Sequence, residues 1–206
     1  MSGESTVPAV EPHGGALEPS RWVKRWSHLV AAGGTVLDVA AGSGRHARWF
    51  AARGHRVTAL DRDAAALATM ARVAGVETLT ADLEDGSPWP LPAGARFDAV
   101  VVTNYLHRPL FPKLLDALAP GGVLIYETFA AGNETVGKPS NPAFLLAPGE
   151  LLDAVRPGLR VVAFQDGFLA TPRAAYIQRI CAVREVESPV IEANGAVVPP
   201  RYDLAG

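Results

Sequence analysis

The chain has 206 residues, 49% hydrophobic and 19% charged, enough for one substantial core. Its 19 basic and 21 acidic side chains leave a formal net charge of −2, without the basic excess of a nucleic-acid binder, so no nucleic-acid partner is expected. No apolar run reaches the roughly 20 residues of a membrane span and no secretory leader is evident, which points to a cytoplasmic protein without a membrane partner.

Residues 1–19, rich in Gly, Pro, Ser and Glu, read as a flexible arm. Ser20 is placed to cap a helix whose Trp22, Trp26, Leu29 and Val30 fall on one apolar face. An apolar strand, Thr35 to Ala40, runs into a glycine turn and then a helix from Arg45 to Arg53 that Gly54 ends. "RVTALD" is the second strand, Ala64 to Ala74 a helix and "VETLTAD" the third strand. After a Pro/Gly-rich connection come a fourth strand, "FDAVVVTNY", a helix, "LFPKLLDALAP", and a fifth strand, "GGVLIYETF".

A long connection from Ala130 to Ala147 and a short helix, "PGELLDAV", precede two runs separated only by "ATPR". These runs, "LRVVAFQDGFL" and "AAYIQRICAVREV", predict an antiparallel hairpin. The single cysteine, Cys181, lies in the second run; it excludes an internal disulfide and reads as a buried structural thiol. The domain is expected to span 20–187, with an irregular tail over 188–206 that can drape on the surface through Val190, Ile191, Val197 and Val198. Alternating strands and helices predict a three-layer α/β sandwich, and strands buried on both faces explain their continuous apolar runs.

The chemistry gathers where strands end. Gly42, Gly44 and Ala47 fit G-x-G-x-x-G/A, a turn that lets a ligand approach the backbone and also suits the pyrophosphate of a nicotinamide dinucleotide. Asp38, four residues before Gly42, would repel a pyrophosphate but can accept hydrogen bonds from the ammonium of an amino acid. Asp61 closes the second strand, where a carboxylate can accept both ribose hydroxyls. Asp82, after the third, can accept from an adenine amino group, and the Leu83 N–H can reach a ring nitrogen. An amino acid, a ribose and an adenine together are S-adenosylmethionine in parts.

The stretch Val36 to Val183 thereby resembles class I S-adenosylmethionine-dependent methyltransferases, whose first strand ends in D/E-x-G-x-G-x-G. Here the motif is "DVAAGSG", with Ala40 in place of the first glycine, and "LLDALAPGGVLIYETF" resembles the family's helix, turn and fifth strand. The likeness implies a mostly parallel seven-stranded Rossmann-like sheet of order 3-2-1-4-5-7-6, with strand 7 antiparallel. It also implies a cofactor set of Asp38, Ala40, Gly42, Gly44, Asp61, Arg62, Asp82, Leu83 and Asn104. "AAGSGRHARWFAARGHRVTALDRD" is most similar to the small, single-domain tellurite-resistance type of methyltransferase. Arg45 and His46, beside the turn, are placed either against the methionine carboxylate or in solvent.

The segment after the fourth strand, "TNYLHRPLF", is where substrate-facing groups are expected, because ligands of open α/β sheets bind beyond the carboxyl ends of strands. Tyr105 and His107 are the candidate catalytic residues, His107 as a general base; with Arg108 and Lys138 they form the candidate substrate set. "TNYL" departs from the N-P-P-Y pattern of amino-directed enzymes, so DNA-adenine chemistry is not expected. The expectation is in-line methyl transfer to a small-molecule acceptor, without a metal, favouring soft or already ionised nucleophiles. An NAD(P)-dependent oxidoreductase and a non-catalytic cofactor-binding scaffold are the alternatives.

Overall fold

The computed structural model describes residues 18–186, 190–191, 197–198 and 200–205. The expected flexible arm therefore lies outside the described residues for 1–17, as do residue 187 of the expected domain and 188–189, 192–196, 199 and 206 of the expected tail.

The first helix, α1 (Arg21–Trp26), starts at Ser20, whose hydroxyl accepts the Trp22 and Val23 N–H groups, and carries Lys24 and Arg25 in its last turn, where positive charge suits the helix dipole. Its Trp22, Val23 and Trp26 are buried. Strand β1 (Thr35–Val39), helix α2 (Arg45–Ala51), strand β2 (Arg56–Asp61), helix α3 (Ala64–Ala68) and strand β3 (Val76–Thr80) follow. Then come β4 (Phe97–Thr103), α4 (Phe111–Asp116), β5 (Leu118–Phe129), α5 (Glu150–Val155), β6 (Arg160–Leu169) and β7 (Ala175–Val183).

Seven strands form one sheet in the order β3-β2-β1-β4-β5-β7-β6. Strands β1 to β5 pair in parallel, and β7 runs antiparallel to both β5 and β6. This is the topology expected from the sequence, including the reversed seventh strand.

Strand residues alternate between two cores. Val36, Val57, Ala99, Val101, Ile125 and Cys181 pack against Trp22, Trp26, Phe50 and Leu67 on the α1–α3 side. Leu37, Leu60, Val100, Leu124 and Ile180 meet Leu110, Leu114, Leu151 and Val155 on the other. Because both faces are covered, the strands read as unbroken apolar runs. Burial pushes the Cys181 thiol up to about 12, an inert core group as expected.

Most element ends fall within two residues of the sequence reading, and the larger departures are these. Helix α3 stops at Ala68 instead of Ala74, because Thr69 turns its hydroxyl back onto the Ala66 carbonyl and Met70 drops beneath the glycine turn. Strand β5 begins at Leu118, ahead of the glycine pair, because Leu118 pairs with Phe97 across a register shift. The tail carries a short antiparallel pair, β8 (Val190–Ile191) with β9 (Val197–Val198). Further along, the Leu204 and Asp203 carbonyls meet Arg25 and His28, so the end of the chain lies against α1.

Candidate functional site

The carboxyl ends of β1, β2, β3 and β4 meet at one edge of the sheet. Between β1 and α2 the chain takes positive φ at alternate residues: Ala40 at 54°, Gly42 at 54° and Gly44 at 79°. Glycine adopts this region freely, whereas an alanine there is strained by about 1 to 2 kcal/mol. At Gly44 a side chain is excluded twice over, since an added Cβ would lie 1.7 Å from Met70 Sδ. At Gly42 nothing lies within 4 Å of an added Cβ, so this part of the turn is open to a ligand.

Asp61 locks the turn from the next strand. One of its carboxylate oxygens accepts the Gly42 N–H at 2.7 Å and the other accepts the Asp63 N–H at 2.8 Å. Each oxygen retains lone-pair capacity for another donor. Asp61 lines a pocket of about 160 Å³ together with Ala40, Arg62, Asp82, Leu83 and Tyr105, all of them sequence-expected. Ala81 and Glu84 complete it and were missed. The signal for Glu84 was its place two residues beyond Asp82 in "ADLEDG".

Asp38 stands apart from that lining. It is 1% exposed, and its carboxylate accepts the Ala47 N–H at 2.9 Å in the first turn of α2. Burial pushes its carboxyl up to about 7, against the opposing pull of the Ala47 N–H and the Arg45 guanidinium. The geometry also bears on the dinucleotide alternative. One N–H of the first turn of α2, a group that could serve a pyrophosphate, is held by the Asp38 carboxyl.

Beside the turn, His46 is buried, and burial drives its imidazole down to about 3, so it is neutral. Its Nε2 accepts the Ser20 N–H at 3.1 Å, which leaves Nδ1 as the donor to the Thr103 hydroxyl at 3.5 Å. The Ser20 hydroxyl donates to Glu127 at 2.8 Å, and Glu127 pairs with Arg179 at 3.2 Å. His46 thus ties α1 to α2 and has no ring nitrogen left for a carboxylate. Arg45 donates to Thr103 at 3.3 Å and has no acidic partner among the described residues.

After β4, Asn104 takes φ 55° and its N–H donates to the Glu127 carbonyl; its side chain is exposed and outside the pocket lining. The Tyr126 hydroxyl donates to the Tyr105 carbonyl at 2.8 Å, fixing the next residue's backbone. Burial, and then the charges of Glu84 and Asp82, hold the Tyr105 phenol well above its ordinary range, so it is a proton donor and not a base. His107 leads into a short 3-10 turn, outside the pocket lining.

Arg108 is committed elsewhere. Its guanidinium grips Glu150 at 2.5 and 2.9 Å and donates to the Ala143 and Leu145 carbonyls, which fastens the 130–147 connection to the start of α5. Lys138 is exposed, and its carbonyl accepts from Arg173. Among the described residues, no cluster of three or more His, Cys, Asp or Glu side chains is placed to hold a metal ion. No described helix is long and apolar enough to cross a membrane.

A sheet of this order, with a reversed seventh strand and acids at the carboxyl ends of β1 and β2 and just past β3, has the Rossmann-like architecture of the methyltransferase fold. Residues 36–122 match the family model described as a methyltransferase domain. Among solved structures, TehB from Haemophilus influenzae is similar at a TM-score of 0.63 and 16% identity, over 77% of this chain and 60% of that one. This chain thus matches less than two thirds of that protein's length. A S-adenosylmethionine-dependent methyltransferase from Methanosarcina mazei gives 0.62 and 16%, over 83% of this chain and 100% of the other. A TehB-like S-adenosylmethionine-dependent methyltransferase from Corynebacterium glutamicum gives 0.58 and 17%, over 80% and 87%. No curated protein matches the sequence. Residues 36–122 thus resemble a methyltransferase domain, and the chain shares the fold of solved S-adenosylmethionine-dependent methyltransferases.

Proposed function

We propose that the protein transfers the methyl group of S-adenosylmethionine to a small-molecule acceptor whose nucleophile is soft or already ionised. The observation that carries this reading is the pocket at the ends of β1 to β4, where Ala40, Asp61 and Asp82 converge and Asp61 holds the neighbouring glycine turn at the Gly42 N–H. Asp61 would hold the ribose hydroxyls, its position set by the Gly42 N–H. Asp82 and the Leu83 N–H would read the adenine edge, and Arg45 would meet the methionine carboxylate. Asp38, capping α2 below the turn, would balance the ammonium charge from beneath the backbone.

The bound cofactor supplies a methyl on an electrophilic sulfonium. What remains for the chain is to orient the partners in line and exclude water. Tyr105 stays protonated, and Arg108 is consumed by Glu150. An acceptor such as a thiolate or an oxyanion, which brings its own electron pair, fits these residues better than a neutral hydroxyl or a protonated amine.

A screen with methyl-labelled S-adenosylmethionine against thiols, oxyanions, phenols, amines and nucleic acids tests this. Label should appear in thiol or oxyanion products. Label confined to amines or nucleic acid would refute the acceptor class, and silence across the panel despite cofactor binding would favour a scaffold.

A further inference from the structure

On the sheet face that packs under α1, the apolar rows give way to a polar one at the level where β4 ends. The register sets Thr103 of β4 beside Glu127 of β5, Glu127 beside Arg179 of β7, and Arg179 beside Gln165 of β6. Residues two apart on a strand share a face, so the row below is Val101, Ile125, Cys181 and Ala163, all apolar. The row above pairs Phe129 with Ile177 and is apolar again. The polar row opens towards the glycine turn, because Thr103 meets both Arg45 and His46 of α2.

Arg179 is held in a set pose within this row. Its Nε donates to Gln165 at 2.8 Å, its Nη1 pairs with Glu127 at 3.2 Å, and its guanidinium carbon stands 4.7 Å from the centre of the Trp22 ring. The Arg179 and Glu127 side chains are only 17% and 15% exposed, so both are largely stripped of water. The remaining nitrogen, Nη2, has no hydrogen-bond partner among the described residues, yet it is not sealed in the core. Glu127 is already shared, since its other oxygen accepts the Ser20 hydroxyl at 2.8 Å. Arg45, at the far end of the row, has no acidic partner among the described residues, which leaves two guanidinium groups against one carboxylate. A preset guanidinium with a spare edge in half-dry surroundings suits a carboxylate, which it binds through charge-assisted hydrogen bonds.

We propose that Arg179 is a specificity-determining residue whose Nη2 binds a carboxylate of the methyl acceptor. This rests on the reading of the chain as a methyltransferase for soft or ionised acceptors, and it narrows that class to small thiols that also carry a carboxylate. Neighbouring strands lie about 4.8 Å apart, so the Arg179 backbone stands about 10 Å from that of Thr103. An acceptor that spans the row therefore holds its sulfur and its carboxylate roughly 5 to 10 Å apart. The Phe129 and Ile177 row beside it suits an apolar or aromatic skeleton between the two groups.

Calorimetry on the full chain saturated with S-adenosylhomocysteine tests the proposal, with para-mercaptobenzoate and the uncharged para-mercaptobenzamide as probes. The wild type should bind the benzoate about 10-fold or more tighter than the amide, as for one hydrogen bond between charged groups. Arg179→Gln should abolish that preference while leaving amide affinity within about 2-fold. Arg179→Lys keeps a cation for Glu127, which guards against loss of the fold, and should also lose the preference because its single ammonium is taken up by that pair. Arg156→Gln, a change on the exposed end of α5, should retain it. Equal binding of the two probes by the wild type, binding of neither, or a preference that survives both Arg179 changes would overturn the proposal and leave the cofactor reading intact. Failure to take up S-adenosylhomocysteine would overturn both.

Discussion

Asp61 carries two loads, and replacing it by alanine separates them. Its carboxylate holds the Gly42 N–H at 2.7 Å and the Asp63 N–H at 2.8 Å, and both oxygens keep capacity for the ribose hydroxyls in the pocket they line. Hydrogen bonds to a charged group contribute about 1.5 to 3 kcal/mol each, and two that act on one ligand are not additive. Asp61→Ala is therefore expected to weaken S-adenosylhomocysteine binding by about 1.5 to 3 kcal/mol, a factor of roughly 10 to 150. The freed N–H groups can turn to water, because Gly42 is only partly buried and Asp63 is exposed, so loss of folding stability should stay near 1 kcal/mol. Titration calorimetry gives the first quantity and urea unfolding the second. Unchanged affinity would remove Asp61 from the site. A stability loss as large as the affinity loss would mean that it serves the fold alone.

Other consequences follow from strain, burial and loop anchoring. Ala40→Gly relieves a positive φ of 54° and should raise stability by about 0.5 to 1 kcal/mol in urea unfolding; a loss would show that the Ala40 methyl makes a contact worth more than the strain. The Asp38 carboxyl rises from 3.8 to about 7 on folding, so the native state holds a proton that the unfolded chain releases. The stability this provides is fully present below pH 4 and lost as pH rises through 7, up to about 4 kcal/mol in all. Asp38→Asn should flatten that slope in urea titrations from pH 4.5 to 8, and a slope identical to the wild type's would locate the proton elsewhere. Arg108→Ala should speed amide exchange across 141–150 by about 10-fold, since four hydrogen bonds to that region are lost; unaltered exchange would show that other contacts hold the connection.

The sequence revealed the sheet because its strands are buried on both faces and bounded by glycines and strand-end acids. β2 matches its predicted span, Arg56 to Asp61, residue for residue. The acids Asp61 and Asp82 were legible for the same reason, since strand ends fix their place. Side-chain commitments were not legible. Arg108 looked available for substrate until its chelation of Glu150, 42 residues away, appeared in the fold. His46 likewise read as either a carboxylate contact or a solvent-facing residue of α2, yet it closes a link from Ser20 to Thr103 over 26 and 57 residues. Such long-range pairings leave no local pattern, whereas periodicity and turns do. The shortened α3 was missed because "ATMARVAG" has ordinary helix formers, and only the space beneath Gly44 requires Met70 to leave the helix.

The central claim is that this glycine turn and its three acids serve S-adenosylmethionine and not a dinucleotide. Parallel calorimetric titrations of the wild-type chain with S-adenosylhomocysteine, NAD⁺ and NADP⁺ test it most directly. The account expects one S-adenosylhomocysteine bound per chain and no heat of binding from either dinucleotide. Saturable binding of NAD⁺ or NADP⁺, with none of S-adenosylhomocysteine, would contradict it.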